Sequence, residues 1–301
     1  MITITIIGSI NLDLIATVER LPAPGETVTG GDFSTAPGGK GANQALAARR
    51  AGAQVRMIGA VGKDAFAVEA LSLLEEGGVD LSHVGRMHAP TGTALILVDA
   101  KGENVIAVVP GANRSVLPGD LAAAGLKEKE YLLLQQEIPL ETVAASLRAA
   151  REVGAVSVLN TAPFRAEAAS FIGEADYVVA NETEFDLYAD ALFLPEGERT
   201  RRMAAFVEQT GRTLIVTLGA DGVLAAASGQ MLSVPALKVK PVDTVGAGDT
   251  FCGYLATSLA SGLPLEQALR RATAAASLAC LKEGAQPSIP LAAEVDRAMK
   301  S

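Results

Sequence analysis

The sequence predicts an α/β protein: a doubly wound, mostly parallel sheet flanked by helices, with a small β-sheet lid. Three observations point there. From residue 131 onward short apolar strands alternate with amphipathic helices, the rhythm of a parallel sheet whose crossovers cover both faces. Several strands end on Asn, Glu or Gly, where open α/β sheets hold ligands. Two β-rich segments follow one another without an intervening helix, so they belong to a separate antiparallel unit. The expected organisation is one domain over 1–301, with lid strands from about 14–35 and 94–109.

The elements follow in order. Ile2, Ile4 and Ile6 alternate with Thr before Gly8, a first strand, and Asn11 and Asp13 come directly after it. Residues 28–33 form a short extended piece after the turn Pro22-Ala-Pro-Gly25. Residues 40–52 read as a helix ending on glycine, 55–61 as a strand, and 66–76 as a helix stopped by Gly77-Gly78. Segments 94–98 and 105–109, joined by Asp-Ala-Lys-Gly-Glu-Asn, form a hairpin. Strands at 131–134, 157–159, 177–180 and 214–218 then alternate with helices at 140–153, 182–188 and 199–209. A second hairpin spans 222–227 and 230–234, and the last third is helical, broken at Gly262-Leu-Pro264 and near Gly284-Ala-Gln-Pro287.

Composition excludes several function classes. Net charge is −9 with no block of Lys or Arg, which argues against nucleic acid as a partner. Cys252 and Cys280, the only cysteines, sit in apolar helical stretches. Buried free thiols there fit a reducing cytosol and a cytoplasmic protein better than a disulfide or thiolate-metal site. His83 and His88 lie in a polar connection with too few neighbouring ligands for zinc. The first residues alternate like a strand and lack the pattern of a signal peptide. No apolar stretch reaches the ~18–20 residues of a membrane span.

The chemistry concentrates in Asp243-Thr-Val-Gly-Ala-Gly-Asp-Thr-Phe251, which leads straight into an apolar helical run. Gly246-Ala247-Gly248 reads as a turn into a helix start, where unpaired N–H groups and aligned peptide dipoles bind anions. Asp249 beside that positive end suits proton abstraction from a hydroxyl while the N–H groups hold developing charge, as in phosphoryl transfer to an alcohol. The alternative is a helix N-cap, which Asp also favours.

Gly38-Gly39-Lys40-Gly41-Ala42-Asn43 is either a close-approach loop with directional donors at Lys40 and Asn43, or a glycine-rich turn capping a helix. It lacks the spacing of a Walker A loop. Asn181-Glu182-Thr183-Glu184 suits hydrated Mg²⁺ and phosphates, and equally a capping box. Thr217-Leu-Gly219-Ala-Asp-Gly222 ends a strand with two glycines, consistent with a loop against a nucleotide. Glu137 follows the strand 131–134 and is either a crevice carboxylate or a solvated loop group. Asn11, Asp13, Glu137, Asn181, Glu184, Gly219 and Asp249 all follow strands or open helices, so one crevice can gather them.

Read together, Gly38–Asn43, Asn181–Glu184 and Asp243–Phe251 closely resemble the ribokinase-like carbohydrate kinase family, in the family's order and over essentially the whole chain. The segments Ile7–Asp13, Pro24–Val28, Gly102–Ile106 and Lys282–Pro290 are most similar to its pentose-accepting branch. The resemblance implies an ATP-dependent kinase acting on the primary hydroxyl of ribose to give ribose 5-phosphate. It implies Asp249 as general base and Gly246, Ala247 and Gly248 as anion hole. Asn11, Asp13, Gly39, Lys40, Gly41, Ala42, Asn43, Glu137 and Asp249 would line the sugar site, and the two acceptor oxygens of Asp13 suit a vicinal diol. Asn181, Glu184, Thr217, Gly219, Gly222 and Gly248 would serve ATP and Mg²⁺, with Thr273 near the adenine. Asp243, Val245, Ala279, Lys282, Gly284 and Ser288 would supply oxygens to K⁺. It also implies a homodimer through the lids. Deoxyribose, another sugar or a nucleoside remain open as acceptors, as does a non-catalytic sugar-binding protein.

Overall fold

In the computed structural model, which describes residues 2–300, the chain opens with β1 (Thr3–Ile7), β2 (Asn11–Val18) and β3 (Gly30–Gly38). There follow α1 (Lys40–Arg50), β4 (Gln54–Gly62), α2 (Ala65–Glu76), β5 (Asp80–Met87), β6 (Gly92–Val98), β7 (Asn104–Val109) and α3 (Pro118–Ala124). The regular alternation then runs through β8 (Tyr131–Leu134), α4 (Leu140–Val153), β9 (Val156–Asn160), β10 (Tyr177–Asn181), α5 (Glu182–Ala191), α6 (Arg199–Thr210) and β11 (Thr213–Thr217). The hairpin β12 (Val223–Ala227) and β13 (Gln230–Val234) precedes α7 (Ala247–Ala260), α8 (Leu265–Ala279), α9 (Ala285–Ser288) and α10 (Ala292–Ala298).

The larger sheet has nine strands in the order β13-β12-β11-β10-β9-β8-β1-β4-β5. All neighbours from β11 to β5 are parallel, and β12 and β13 add an antiparallel edge. Strand alternation divides the core between its faces. Ile4 and Ile6 of β1 point with Met57, Leu133, Val158 and Ile215 toward α1, α7 and α8. Ile7 points with Leu132, Leu134, Leu159 and Val216 to the opposite face, against residues of α4 to α6. The strand order reverses between β1 and β8, so the carboxyl ends there leave a crevice at a topological switch point.

The lid is a separate four-stranded sheet in the order β3-β2-β6-β7. It is larger than the sequence pattern indicates, covering 11–38 and 92–109. Asn11 and Asp13 lie within its strand β2 rather than in the loop after β1. Strand β2 presents polar residues on a face that meets the crevice, so its strand character does not register as apolar alternation. His83 is likewise in a strand, the edge strand β5, rather than in a connection.

Candidate active site

A close crossing of α1 and α7 fixes the centre of the site. A Cβ on Gly253 would lie 2.5 Å from Ala47 Cβ and 2.7 Å from the Gln44 carbonyl, so only glycine allows the helices this near. Thr257 Oγ1 adds a bond to the Ala48 carbonyl at 3.3 Å. The crossing brings the first turns of both helices together. Asn43 Nδ2 donates to Asp249 Oδ2 at 2.9 Å, and Gln44 Nε2 donates to Asp249 Oδ1 at 2.9 Å. Gln44 is fully buried, and its Oε1 accepts from Gln135 Nε2 at 2.6 Å. Its Nε2 also reaches Asn160 Oδ1 at 3.3 Å. Two amides therefore hold the Asp249 carboxylate from behind, while Asp249 keeps 6% of its surface at the cleft.

The turn ahead of α7 has the geometry its glycines suggest. Gly246 has φ +77°, and a Cβ there would lie 2.8 Å from Ala285 Cα. Thr250 N–H bonds back to the Gly246 carbonyl at 2.8 Å. The N–H groups of Gly248 and Asp249 have no backbone acceptor among the described residues, which leaves the positive end of α7 open to an anion. Asp249 does not cap its own helix, so the capping alternative fails.

Beside this turn lies a cleft of about 230 Å³ whose walls include Lys40, Asn181, Glu184, Thr217, Gly248 and Asp249. Thr244 of the Asp243–Phe251 motif also lines it, as does Asn160, which did not stand out in the sequence. Asn181 and Glu184 do form a capping box, with Glu184 N–H to Asn181 Oδ1 at 2.7 Å and Asn181 N–H to Glu184 Oε2 at 3.0 Å. The capping reading holds, and the capped helix start is also a wall of the cleft.

On the lid side, burial and the negative charges of Glu137 and Asp249 push the Asp13 carboxyl up to about 6. Glu137 Oε2 accepts from Ser9 Oγ at 2.5 Å and from Lys40 N–H at 3.1 Å, which ties β1, β8 and α1 into one wall. Burial works against the Lys40 ammonium, but the Asp249, Glu137 and Glu184 carboxylates outweigh it and raise its pKa. Burial raises the Glu184 pKa against the Asn181 N–H and Lys40, which pull it down. Gly39 precedes α1, and Ala42 in its first turn, beside buried Gly41, bonds through N–H to the Ser9 carbonyl at 2.9 Å.

The remaining expected residues divide. Asp243 Oδ1 accepts from Val245 N–H and Oδ2 from Gly284 N–H, both at 2.9 Å, so Asp243, Val245 and Gly284 meet behind the turn. The Ala279 carbonyl accepts from Lys282 N–H at 3.3 Å, and Ser288 Oγ donates to the Ala285 carbonyl at 2.9 Å. Gly219, Gly222 and Thr273 do not line the cleft. A Cβ on Gly222 would lie 2.1 Å from the Val234 carbonyl, so that glycine is required by the packing of β13. Thr273 is buried on α8, its hydroxyl unpartnered among the described residues.

Residues 1–292 match the pfkB family of carbohydrate kinases. The chain belongs to that family. A ribokinase of Lactococcus lactis is 40% identical over 303 residues, covering 100% of this chain and 98% of its own length. The solved ribokinase of Thermotoga maritima superposes with a TM-score of 0.93 at 33% identity over 100% of both chains. The Arabidopsis thaliana ribokinase complexed with ribose and ATP superposes with a TM-score of 0.87 at 29% identity, again over 100% of both chains. This pfkB-family site thus combines what its motifs indicated with a second set of residues that the sequence hid. Gln44, Gln135 and Asn160 are buried amides on different elements. Only the position of Gln44, directly after Asn43 on the helix facing Asp249, offered a signal.

Proposed function

We propose that this chain transfers the γ-phosphate of ATP to the primary hydroxyl of ribose, giving ribose 5-phosphate and ADP. The observation that carries the reading is the Asp249 carboxylate, fixed by Asn43 and Gln44 beside the unpaired N–H groups of Gly248 and Asp249.

Asp249 takes the hydroxyl proton as the oxygen attacks the γ-phosphorus. The bond from that phosphorus to the bridging oxygen of ADP breaks, and the N–H groups of Gly248 and Asp249 hold the charge on the transferring group. Gly246, Ala247 and Gly248 form the turn that presents these groups to the anion. Lys40 adds positive charge at the same wall. Asn11, Asp13, Gly39, Gly41, Ala42, Asn43 and Glu137 hold the sugar on the lid side. The nucleotide runs from Gly248 past Asn181, Glu184 and Thr217 toward the 219–222 turn.

Mg²⁺ fits a wall of one amide and one carboxylate, because it keeps waters and substrate phosphates as its other ligands. Asn181 and Glu184 would hold it, and when bound it would neutralise phosphate charge. For K⁺, the loop pair pinned by Asp243 offers backbone carbonyls around Val245 and Gly284. An ion seated there would brace the turn from behind.

We further propose that body and lid act as one domain, and that the chain pairs through its lids as a homodimer in the cytoplasm. The lid leaves Leu95, Val105, Ile106, Val108 and Val109 between 45% and 54% exposed, an apolar surface along an edge strand that pairing would cover. No helix among the described residues is long and apolar enough to cross a membrane.

A coupled ADP-release assay over ribose, 2-deoxyribose, hexoses and nucleosides tests the reading. Ribose should give the highest kcat/KM, and a nucleoside or hexose preferred over ribose would overturn it.

A further inference from the structure

Where the lid joins the body, one buried amide controls another. Asn113 lies in the short turn Gly111–Ser115 after β7 and is 1% exposed. Its Oδ1 accepts from Ile10 N–H at 2.9 Å, and its Nδ2 donates to the Ile10 carbonyl at 3.2 Å. Because a backbone N–H can only donate and a carbonyl only accept, these two bonds fix which end of the Asn113 amide is nitrogen. The second hydrogen of Nδ2 goes to Asn11 Oδ1 at 2.7 Å. The oxygen of Asn11 is thereby committed to Asn113, and its Nδ2 has no bond among the described residues.

Both amides sit where only glycine at position 92 leaves space. A Cβ on Gly92 would lie 2.3 Å from both Asn11 Oδ1 and Asn113 Nδ2, so the pair is pressed against the Gly92 backbone. Asn11 and Asp13 are two apart on β2 and share a face, the face on which Asp13 feels Glu137 and Asp249.

We infer that Asn113 is a positioning residue of the sugar site. It holds Asn11 so that the amide hydrogens, and not the oxygen, face the substrate. Asp13 then offers only acceptors and Asn11 only donors, so neighbouring hydroxyls of the sugar are read with opposite polarity. This rests on the proposal that Asn11 contacts the sugar.

The test is a double-mutant cycle in steady-state kinetics. Asn11→Ala should raise the ribose KM, and Asn113→Ala should raise it roughly tenfold, the loss of one oriented hydrogen bond, with the KM for Mg-ATP within about twofold. The double variant should be no worse than Asn11→Ala alone, because Asn113 acts through Asn11. An unchanged ribose KM in Asn11→Ala overturns the sugar-site reading itself. A raised KM in Asn11→Ala with none in Asn113→Ala, or penalties that multiply in full, overturns this inference alone.

If Asn113→Ala does not fold, Asn113→Asp decides. It keeps the Ile10 N–H bond but places an acceptor against Asn11 Oδ1, so the Asn11 amide must turn over and the ribose KM must rise. In the wild-type protein, ribose should shift the Asn11 side-chain amide resonances while the Asn113 amide hydrogens stay protected from exchange. Fast exchange at Asn113 would contradict the inference whatever the variants do.

Discussion

Asn43 Nδ2 donates to Asp249 Oδ2 at 2.9 Å across 206 residues of sequence, and this bond joins the two glycine-rich motifs into one site. One motif opens α1 and the other opens α7. Their helices cross at Gly253, so a packing contact in the core sets the distance between the 38–43 loop and the 246–248 turn. The placing of the Asp249 carboxylate is in this sense a consequence of small residues at a helix crossing.

The other amide on Asp249 is a direct test of that positioning. Gln44→Leu keeps the volume but removes the donor at 2.9 Å. The kcat should fall on the order of tenfold to a hundredfold, with the KM values for ribose and Mg-ATP little changed. Gln135 Nε2 also loses its acceptor, so thermal unfolding should report a loss of about 1–3 kcal/mol. A variant with wild-type kcat would show that Asp249 needs no support from this side.

Asp13 gives a pH signature. Its carboxyl is raised from the ordinary 3.8 to about 6, so between those values the folded state holds more protons at this site than the unfolded chain. Its contribution to stability therefore falls as pH rises through that window and is level above it. Below about pH 6 the protonated group offers fewer acceptors, so the ribose KM should climb as pH falls. Kinetics from pH 5 to 8 check this, and Asp13→Asn should flatten the KM profile. A rise that persists unchanged in Asp13→Asn would assign it to another group.

Ile106 tests the lid pairing. It is 51% exposed on edge strand β7. Ile106→Asp should leave thermal stability near wild type while shifting sedimentation from dimer to monomer. A wild-type chain that sediments as a monomer at micromolar concentration would remove the dimer.

The loop pinned by Asp243 predicts a monovalent-ion effect. Assays in potassium should exceed those in sodium at equal ionic strength, and Asp243→Ala should abolish the difference, since the carboxylate holds both Val245 and Gly284 N–H groups. Equal rates in both salts would leave the loop a purely structural device.

The parallel sheet was legible because its strands are buried on both faces and its helices carry regular apolar periodicity. Helix α4 falls over Leu140–Val153, the span its pattern predicts. The lid was only half legible. Strand β2 spends its polar residues Asn11 and Asp13 on the crevice, so its sequence looks like a loop. In the site, the turn ahead of Asp249 was readable because two glycines leading straight into an apolar helical run mark an open helix start. Gln44, Gln135, Asn160 and Asn113 were not, because an amide carries no charge or spacing rule, and its role depends on which partner the fold brings within hydrogen-bond reach.

The proposed reaction turns on Asp249 taking the proton from the sugar hydroxyl. Asp249→Asn preserves shape and burial but removes the base, so single-turnover phosphorylation of ribose should slow by about 10²–10⁴ or more while calorimetric binding of ribose and Mg-ATP persists. Phosphorylation of ribose by that variant at near wild-type rate would show that Asp249 is not the base.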